Sequence, residues 1–418
     1  MFVMGHNQLP PQLKKMRRLV YMSPVITVLS LTLLLWTYRP DRTFQYYRAA
    51  TEPQIPVQLT VAGQIVPRRQ KLPFVAVNGT KTLLVAAYQE HRTGKQEVRL
   101  IAVVLRSETV AYRCLLRCQE QLRFSEGFSS IHTDHFGFAY GTADIMCPLP
   151  SGCETPSHIA VTSAAADFED TPDKAFLEVK NQKAQSDSFP YNFTVCFSAM
   201  YDFTNVLQLV QSLEMLQLLG VNRVVIYKSS SSPETQRILD YYTYKGLVEV
   251  IPWSKSRFLN VSRHWLPSLG PGDLHYFGQI PALNDCIYRY MYQSRYVALH
   301  DIDELILPQS INSWSELLPL LERNYGADGC YKFVNNVFPN TVALPPPTSQ
   351  TLPPQNVSGV NILAHLYHEP ITGNPSYSNY KIIVNPRAAF SATVHGLLSS
   401  QNDCSWVDMD IAWMYHTR

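Results

Sequence analysis

The chain carries no excess of either charge: over 418 residues, 35 Lys and Arg stand against 33 Asp and Glu, a formal net charge of +2. That balance gives no electrostatic reason to expect nucleic acid as a partner, because phosphate-backbone binding needs a basic surface. Glycine-rich phosphate cradles are missing too. No Gly-x-Gly-x-x-Gly follows the first strand of the strand–helix region beginning after Pro190, which disfavours dinucleotide binding, and no P-loop occurs. Cys114-x-x-x-Cys118 begins like half a zinc site, but no matching Cys/His pair follows at a suitable distance. Phosphate neutralisation has to come from something else, and a cation held on carboxylates would supply it.

One long uncharged run is present. Leu19 to Tyr38 spans 20 residues, about the length a helix needs to cross a bilayer. Lys14, Lys15, Arg17 and Arg18 precede it, while Arg39 and Arg42 follow, partly offset by Asp41. The positive-inside bias leaves residues 1–18 as a cytosolic tail and places everything past about residue 39 in the lumen or outside. A cleaved signal peptide, with Ala49 and Ala50 near the cut, is the rival; the apolar core and basic leader are long for one, which favours an uncleaved anchor at 19–38. Sequons at Asn78, Asn192, Asn260 and Asn356 agree with a luminal body. In that oxidising space the eight cysteines are expected as disulfides, their pairing open.

Residues 39–71 are polar and contain Pro53, Pro56 and Pro67, as a stem would. Residues 72–162 hold short β-type runs and predict a small, antiparallel, disulfide-stapled domain without a catalytic constellation. Residues 163–189, rich in Ala, Asp and Lys, are a linker candidate. From 190 to 418 the pattern alternates strand and helix. Apolar residues at Val206, Leu209, Val210, Leu213, Leu216 and Leu219 recur at helical spacing, and Ser232-Pro233-Glu234 has the chemistry of a helix start. Such alternation predicts right-handed βαβ units on a parallel sheet.

The apolar run Tyr296–Leu299 then meets three carboxylates, Asp301, Asp303 and Glu304. Spacing by two puts Asp301 and Asp303 on one side of an extended backbone, where they can share a hard divalent cation. Solvated turn carboxylates are the commoner use of a lone acid-x-acid triplet; a strand delivering them to its carboxyl end changes the odds.

Several stretches in order resemble glycosyltransferase family 92, type II membrane proteins with a GT-A fold. They are Phe203-Thr204-Asn205, Leu219-Gly220-Val221, Val224 to Tyr227, Tyr244 to Val250 and Gly278-Gln279. The likeness continues through Asn284 to Tyr290, Asp301 to Glu304, Tyr380-Lys381, Pro386-Arg387, His395 and Tyr415-His416. The resemblance implies an α/β, GT-A-type nucleotide-sugar-binding sandwich with an N-terminal small β-rich domain and a single transmembrane helix. It implies an inverting hexosyltransferase in the Golgi membrane, single-pass type II with a luminal catalytic domain. UDP-galactose would be the donor and a glycan on glycoprotein or glycolipid the acceptor. By the same likeness Asp301 approaches the ribose or metal, Asp303 ligates Mn²⁺, and His416 or His395 completes the shell. Tyr227, Gln279, Asn284 and Asp285 are candidates for nucleotide or sugar contact; a core aromatic is the rival role for Tyr227, and a polar network locking helix to strand is the rival for Asn284. For the base that takes the acceptor proton, Glu369, Glu304, Asp403 and Asp408 remain open, and Glu304 has loop-holding as its alternative. Two other functions stay in play: a catalytically silent luminal glycan-binding protein, and a metal-dependent phosphoester hydrolase.

Overall fold

The computed structural model describes residues 74–119, 121–166, 175–184, 188–254, 258–342, 357, 359–370 and 379–418. The expected tail (1–18), anchor (19–38) and stem (39–71) lie outside these residues, as does the sequon at Asn356. Among the described residues no helix is long and apolar enough to cross a membrane. Residues Lys71–Arg418 form one compact unit.

The first part of that unit is β1 (Val75–Ala76), β2 (Leu83–Glu90), β3 (Glu97–Leu105), β4 (Tyr112–Cys118), β5 (Gln121–Ile131), β6 (Tyr140–Pro148), β7 (His158–Ser163) and β8 (Leu177–Lys180). Seven of them close into a barrel in the order β2, β3, β6, β5, β4, β7, β8, with β8 returning to β2. That closing contact is parallel, Ala87 opposite Val179 and Tyr88 opposite Lys180. It places a strand inside the stretch read as a linker. Two-residue alternation decides which side each residue serves: Leu100, Ala102 and Val104 fill the barrel, while Ile101 and Val103 join the apolar cluster beneath the second sheet. Gly127 sits where β5 passes from β4 to β6, and a Cβ there would lie 2.9 Å from Cys114 Sγ. Disulfides Cys114–Cys147 and Cys118–Cys153 staple the barrel, and Cys196–Cys286 and Cys330–Cys404 fasten the remainder.

Next come β9 (Tyr191–Met200), α1 (Val206–Leu218), β10 (Arg223–Lys228), α2 (Pro233–Tyr244), β11 (Val248–Pro252), α3 (Gln279–Tyr290) and β12 (Ser294–Leu299). Asn205 and Ser232 cap α1 and α2 by accepting from Gln208 N–H and Thr235 N–H. β11, β10, β9 and β12 run parallel. Alternation again splits them: Val195, Val224, Ile226 and Ala298 pack in the cluster that holds α1 and α2. Cys196, Val225, Val297 and Leu299 pack in the cluster that holds α3 and barrel strands β2 and β3.

After β13 (Glu304–Pro308) and α4 (Trp314–Tyr325) the chain returns as β14 (Cys330–Phe333), β15 (Asn335–Phe338), β16 (Lys381–Val384), β17 (Ala389–Thr393), β18 (Gly396–Ser400), β19 (Ser405–Trp406) and β20 (Ala412–Thr417). β16 adds antiparallel to β12, and β14 and β19 extend that sheet, while β13, β20 and β15 form a three-stranded one. The stretch Cys330–Phe338 is therefore divided between two strands, β14 and β15, in different sheets.

The expectation of an α/β, GT-A-type sandwich is corrected here; the β-rich segment expected at 72–162 is part of a closed barrel that runs on to Lys180, and the expected transmembrane helix lies outside the described residues. The regular elements of the described residues are mostly strands, seven of them closed into a barrel, with only four α-helices of 12 or 13 residues. Among the described residues helical periods are confined to three helices between 206 and 290 and to Trp314–Tyr325. Past Glu304 most strands follow turns and loops instead of crossover helices, which allows antiparallel pairing.

Candidate active site

Asp301, Ile302 and Asp303 form the turn between β12 and β13, and the turn is held by its own ends. Asp301 N–H donates to Glu304 Oε2 at 2.6 Å, and Glu304 N–H to the Asp301 carbonyl at 3.2 Å. Lys381 opens β16, whose pairing with β12 sets Ile382 opposite Leu299. Its Nζ thereby reaches Asp301 Oδ2 at 2.8 Å and Glu304 Oε2 at 3.4 Å. From the other side β20 sets His416 opposite Glu304. His416 Nε2 lies 3.9 Å from Asp303 Oδ2, and its Nδ1 3.8 Å from Glu304 Oε1. Gln279, starting α3, donates to Ser198 Oγ at 2.6 Å and Asp301 Oδ1 at 3.2 Å. These groups, with Trp265, Tyr276 and His395, line a cavity of about 410 Å³. A second cavity of about 570 Å³ lies at the carboxyl ends of β9, β10 and β11, and Tyr201 and Phe277, their rings stacked at 4.7 Å, line both.

Burial opposes every charge here. It would raise Asp301, but the Lys381 ammonium overrides it and holds that carboxyl below its usual range. Burial pushes Glu304 up to about 8, Lys381 opposing and the Asp301 and Asp303 charges adding. Asp303 is pushed up to about 6, by burial and then by Asp301. Burial works against the Lys381 charge, yet Asp301 and Glu304 keep it an ammonium. His416 and His395, by burial and then Lys381, fall to about 4 and are neutral at physiological pH.

Among the described residues no group of three or more His, Cys, Asp or Glu is arranged to hold a metal ion by itself. Asp303 and His416 nevertheless fit as a pair. Their 3.9 Å separation is less than twice the roughly 2.1 Å bond of a small divalent cation, and the neutral imidazole is the ligating form. Asp301, the other expected ligand, is engaged by Lys381 and Gln279. His395 faces the same cavity, and its Nδ1 is buried without a hydrogen-bond partner.

The remaining candidates stand elsewhere. Tyr227 and Asp285 are fully buried: Tyr88 and Tyr227 each donate a hydroxyl to the Asp285 carboxylate at 2.6 Å, and Arg289 donates at 2.8 Å. Asn284 donates to the Ile280 and Ala392 carbonyls and accepts from Ala392 N–H, locking α3 to β17. The resemblance makes these three candidates for nucleotide or sugar contact, but they point from α3 and β10 into packing, and none lines the cavity. Glu369 is exposed, with its N–H given to the Val337 carbonyl, and Asp403 and Asp408 are exposed as well; none of them lines the cavity either. Lys381, Trp265 and Tyr276 were given no role in the sequence reading. For Lys381 the available signals are its place in the resembling pair Tyr380-Lys381 and at the head of the apolar run Ile382-Ile383-Val384.

A buried lysine thus stands among three acids, beside two imidazoles that are neutral at physiological pH. The profile of glycosyltransferase family 92 matches residues 191–418, and the chain belongs to that family. A Caenorhabditis elegans glycosyltransferase family 92 protein is 28% identical over 129 residues, 31% of this chain and 25% of the relative. A second, the beta-1,4-galactosyltransferase galt-1 of the same organism, is 20% identical over 250 residues, 58% of this chain and 55% of the relative. The chain thus spans about a quarter and about half of the curated relatives it matches.

Proposed function

We propose that the chain transfers a hexose from a UDP-sugar to a hydroxyl of a glycan on glycoprotein or glycolipid, with inversion. One observation carries this reading: Asp301, Asp303, Glu304, Lys381 and His416, drawn from three strands and one turn, converge on a single cavity. Family membership supports transfer, and the name of the galactosyltransferase relative supports galactose as the hexose.

In the proposed reaction the acceptor oxygen bonds to the sugar's anomeric carbon as the bond to the diphosphate oxygen breaks. The electron pair leaves with UDP. The acceptor proton goes to Glu304, the one of the two expected catalytic acids on the cavity wall, whose pKa near 8 suits a base better than an ordinary carboxylate. Lys381 holds Asp301 and Glu304 in place and adds positive charge near the departing diphosphate. Asp303 and His416 would hold Mn²⁺, which when bound would offset the negative charge growing on UDP. Exposed Asn78, Asn192 and Asn260 in sequons, and four disulfides, support a luminal body; with the 19–38 run they support a single-pass type II protein of the Golgi membrane.

Residues 40–418, expressed as a secreted protein, are to be screened with UDP- and GDP-sugars plus Mn²⁺ against a glycan array. Transfer from UDP-galactose is the expected result. Binding to glycans with no turnover of any donor would support the silent glycan-binding alternative, and hydrolysis of simple phosphoesters the hydrolase.

A further inference from the structure

The cavity has two chemically different ends. Its floor is ionic, with Asp301, Asp303, Glu304 and Lys381. Its rim carries Trp265, which keeps 39% of its surface exposed, with Leu266 at 45% and Leu269 at 61% beside it. An indole left that open is held firmly all the same. It stacks on Tyr276 at 4.9 Å and 16°, lies parallel to His395 at 6.1 Å and 9°, and meets His275 edge-on at 5.6 Å.

The barrel helps to hold it. In the turn between β5 and β6, Phe136 adopts a left-handed backbone (φ 52) and stacks on His275 at 4.1 Å. Its ring also meets Trp265 edge-on at 6.4 Å. Tyr140 N–H donates to the Asp273 carbonyl at 2.9 Å, and Ser262 Oγ to the Gly270 carbonyl at 3.1 Å, so the loop bearing Trp265 is tied at both ends. A left-handed backbone is unfavourable at a bulky residue and persists where surrounding structure insists on it.

Resting on the transferase reading, the geometry points to Trp265 as the platform on which the acceptor sugar stacks, with the barrel turn at Phe136 positioning it. An anionic diphosphate belongs with the lysine at the floor. The exposed indole suits the C–H face of a neutral pyranose, since an aromatic ring is a surface such a face buries well. Trp265 is reached from solvent, the direction from which an acceptor on a large glycan must arrive. The barrel, which contributes no ionic group to the cavity wall, thereby gains a part in acceptor choice.

The test uses the full-length protein, with Mn²⁺ and UDP bound or absent. Methyl β-galactoside, methyl β-glucoside and methyl β-N-acetylglucosaminide are titrated by saturation-transfer NMR, and UDP by calorimetry. The wild type is expected to bind at least one glycoside. Trp265→Ala should weaken that glycoside at least tenfold and leave UDP within twofold; Trp265→Phe should restore most of the loss. Phe136→Ala should give an intermediate loss. Glycoside affinity unchanged in Trp265→Ala, no glycoside bound by the wild type, or UDP affinity falling in parallel would each overturn the assignment. Absence of UDP binding by the wild type would strike the transferase reading instead, while the glycoside titration still decides Trp265.

Discussion

Replacing Lys381 with methionine keeps most of its volume and removes one buried charge. Lys381 is 2% exposed and faces Asp301 at 2.8 Å and Glu304 at 3.4 Å. With an effective dielectric constant of about 20, those distances correspond to roughly 6 and 5 kcal/mol of gross attraction. Glu304, pushed up to about 8, is only about a tenth ionised at pH 7 by simple titration, so Asp301 dominates. Asp301 is itself partly exposed, which screens the pair. The single substitution should therefore cost about 3 kcal/mol, the low end for stripping one partner from a buried pair. The assay is urea unfolding at pH 7 with disulfides intact. Adding Asp301→Asn to Lys381→Met removes the stranded carboxylate and should recover at least half of the loss. A single variant within about 1 kcal/mol of wild type, or a double variant no more stable than the single, would refute the reasoning.

Asp303→Ala should leave secretion and folding intact while lowering transfer by about 3–4 kcal/mol in the barrier, the scale of losing a principal charge stabiliser; near-normal turnover would remove Asp303 from the reaction. His275 is 2% exposed, both ring nitrogens lack a hydrogen-bond partner, and burial pushes its pKa down to about 4. The unfolded chain then binds the extra proton first as pH falls, so stability present above about 6.5 drains away toward 4, by at most about 3 kcal/mol. His275→Phe should flatten that limb of a stability-against-pH curve measured by urea unfolding; an unchanged slope would mean that His275 is not its source. The Cys196–Cys286 bridge closes a separation of 90 residues between β9 and α3. Its removal by paired alanines should cost up to about 4.6 kcal/mol on the loop-entropy estimate, read from the shift in urea midpoint.

Local signals were the legible part of the sequence. Asn205, Ser232 and Pro233 start helices where their side-chain chemistry says they should, and Tyr296–Leu299 is a strand buried on both faces. The acidic turn stands at its carboxyl end. Long-range pairing was not legible. Whether β16 lies beside β12 depends on contacts about 80 residues apart, and that pairing alone brings Lys381 to Asp301. Tyr227 and Asp285 illustrate the same limit. Each has the chemistry of a ligand contact, and only the fold shows that they satisfy one another in the dark interior. The barrel was hidden by its closure, since the strand Leu177–Lys180 sits in a polar stretch whose partner β2 is some 90 residues earlier.

Closure has a consequence for assembly. A barrel whose first and last strands bond to each other, here over two residue pairs and with only the two-residue β1 laid outside it, offers a visiting polypeptide little free edge to zip onto. Anything that recognises this half of the molecule has to read its side chains or its hairpin tips. Selection on such contacts can proceed one residue at a time without disturbing the hydrogen-bonded hoop beneath.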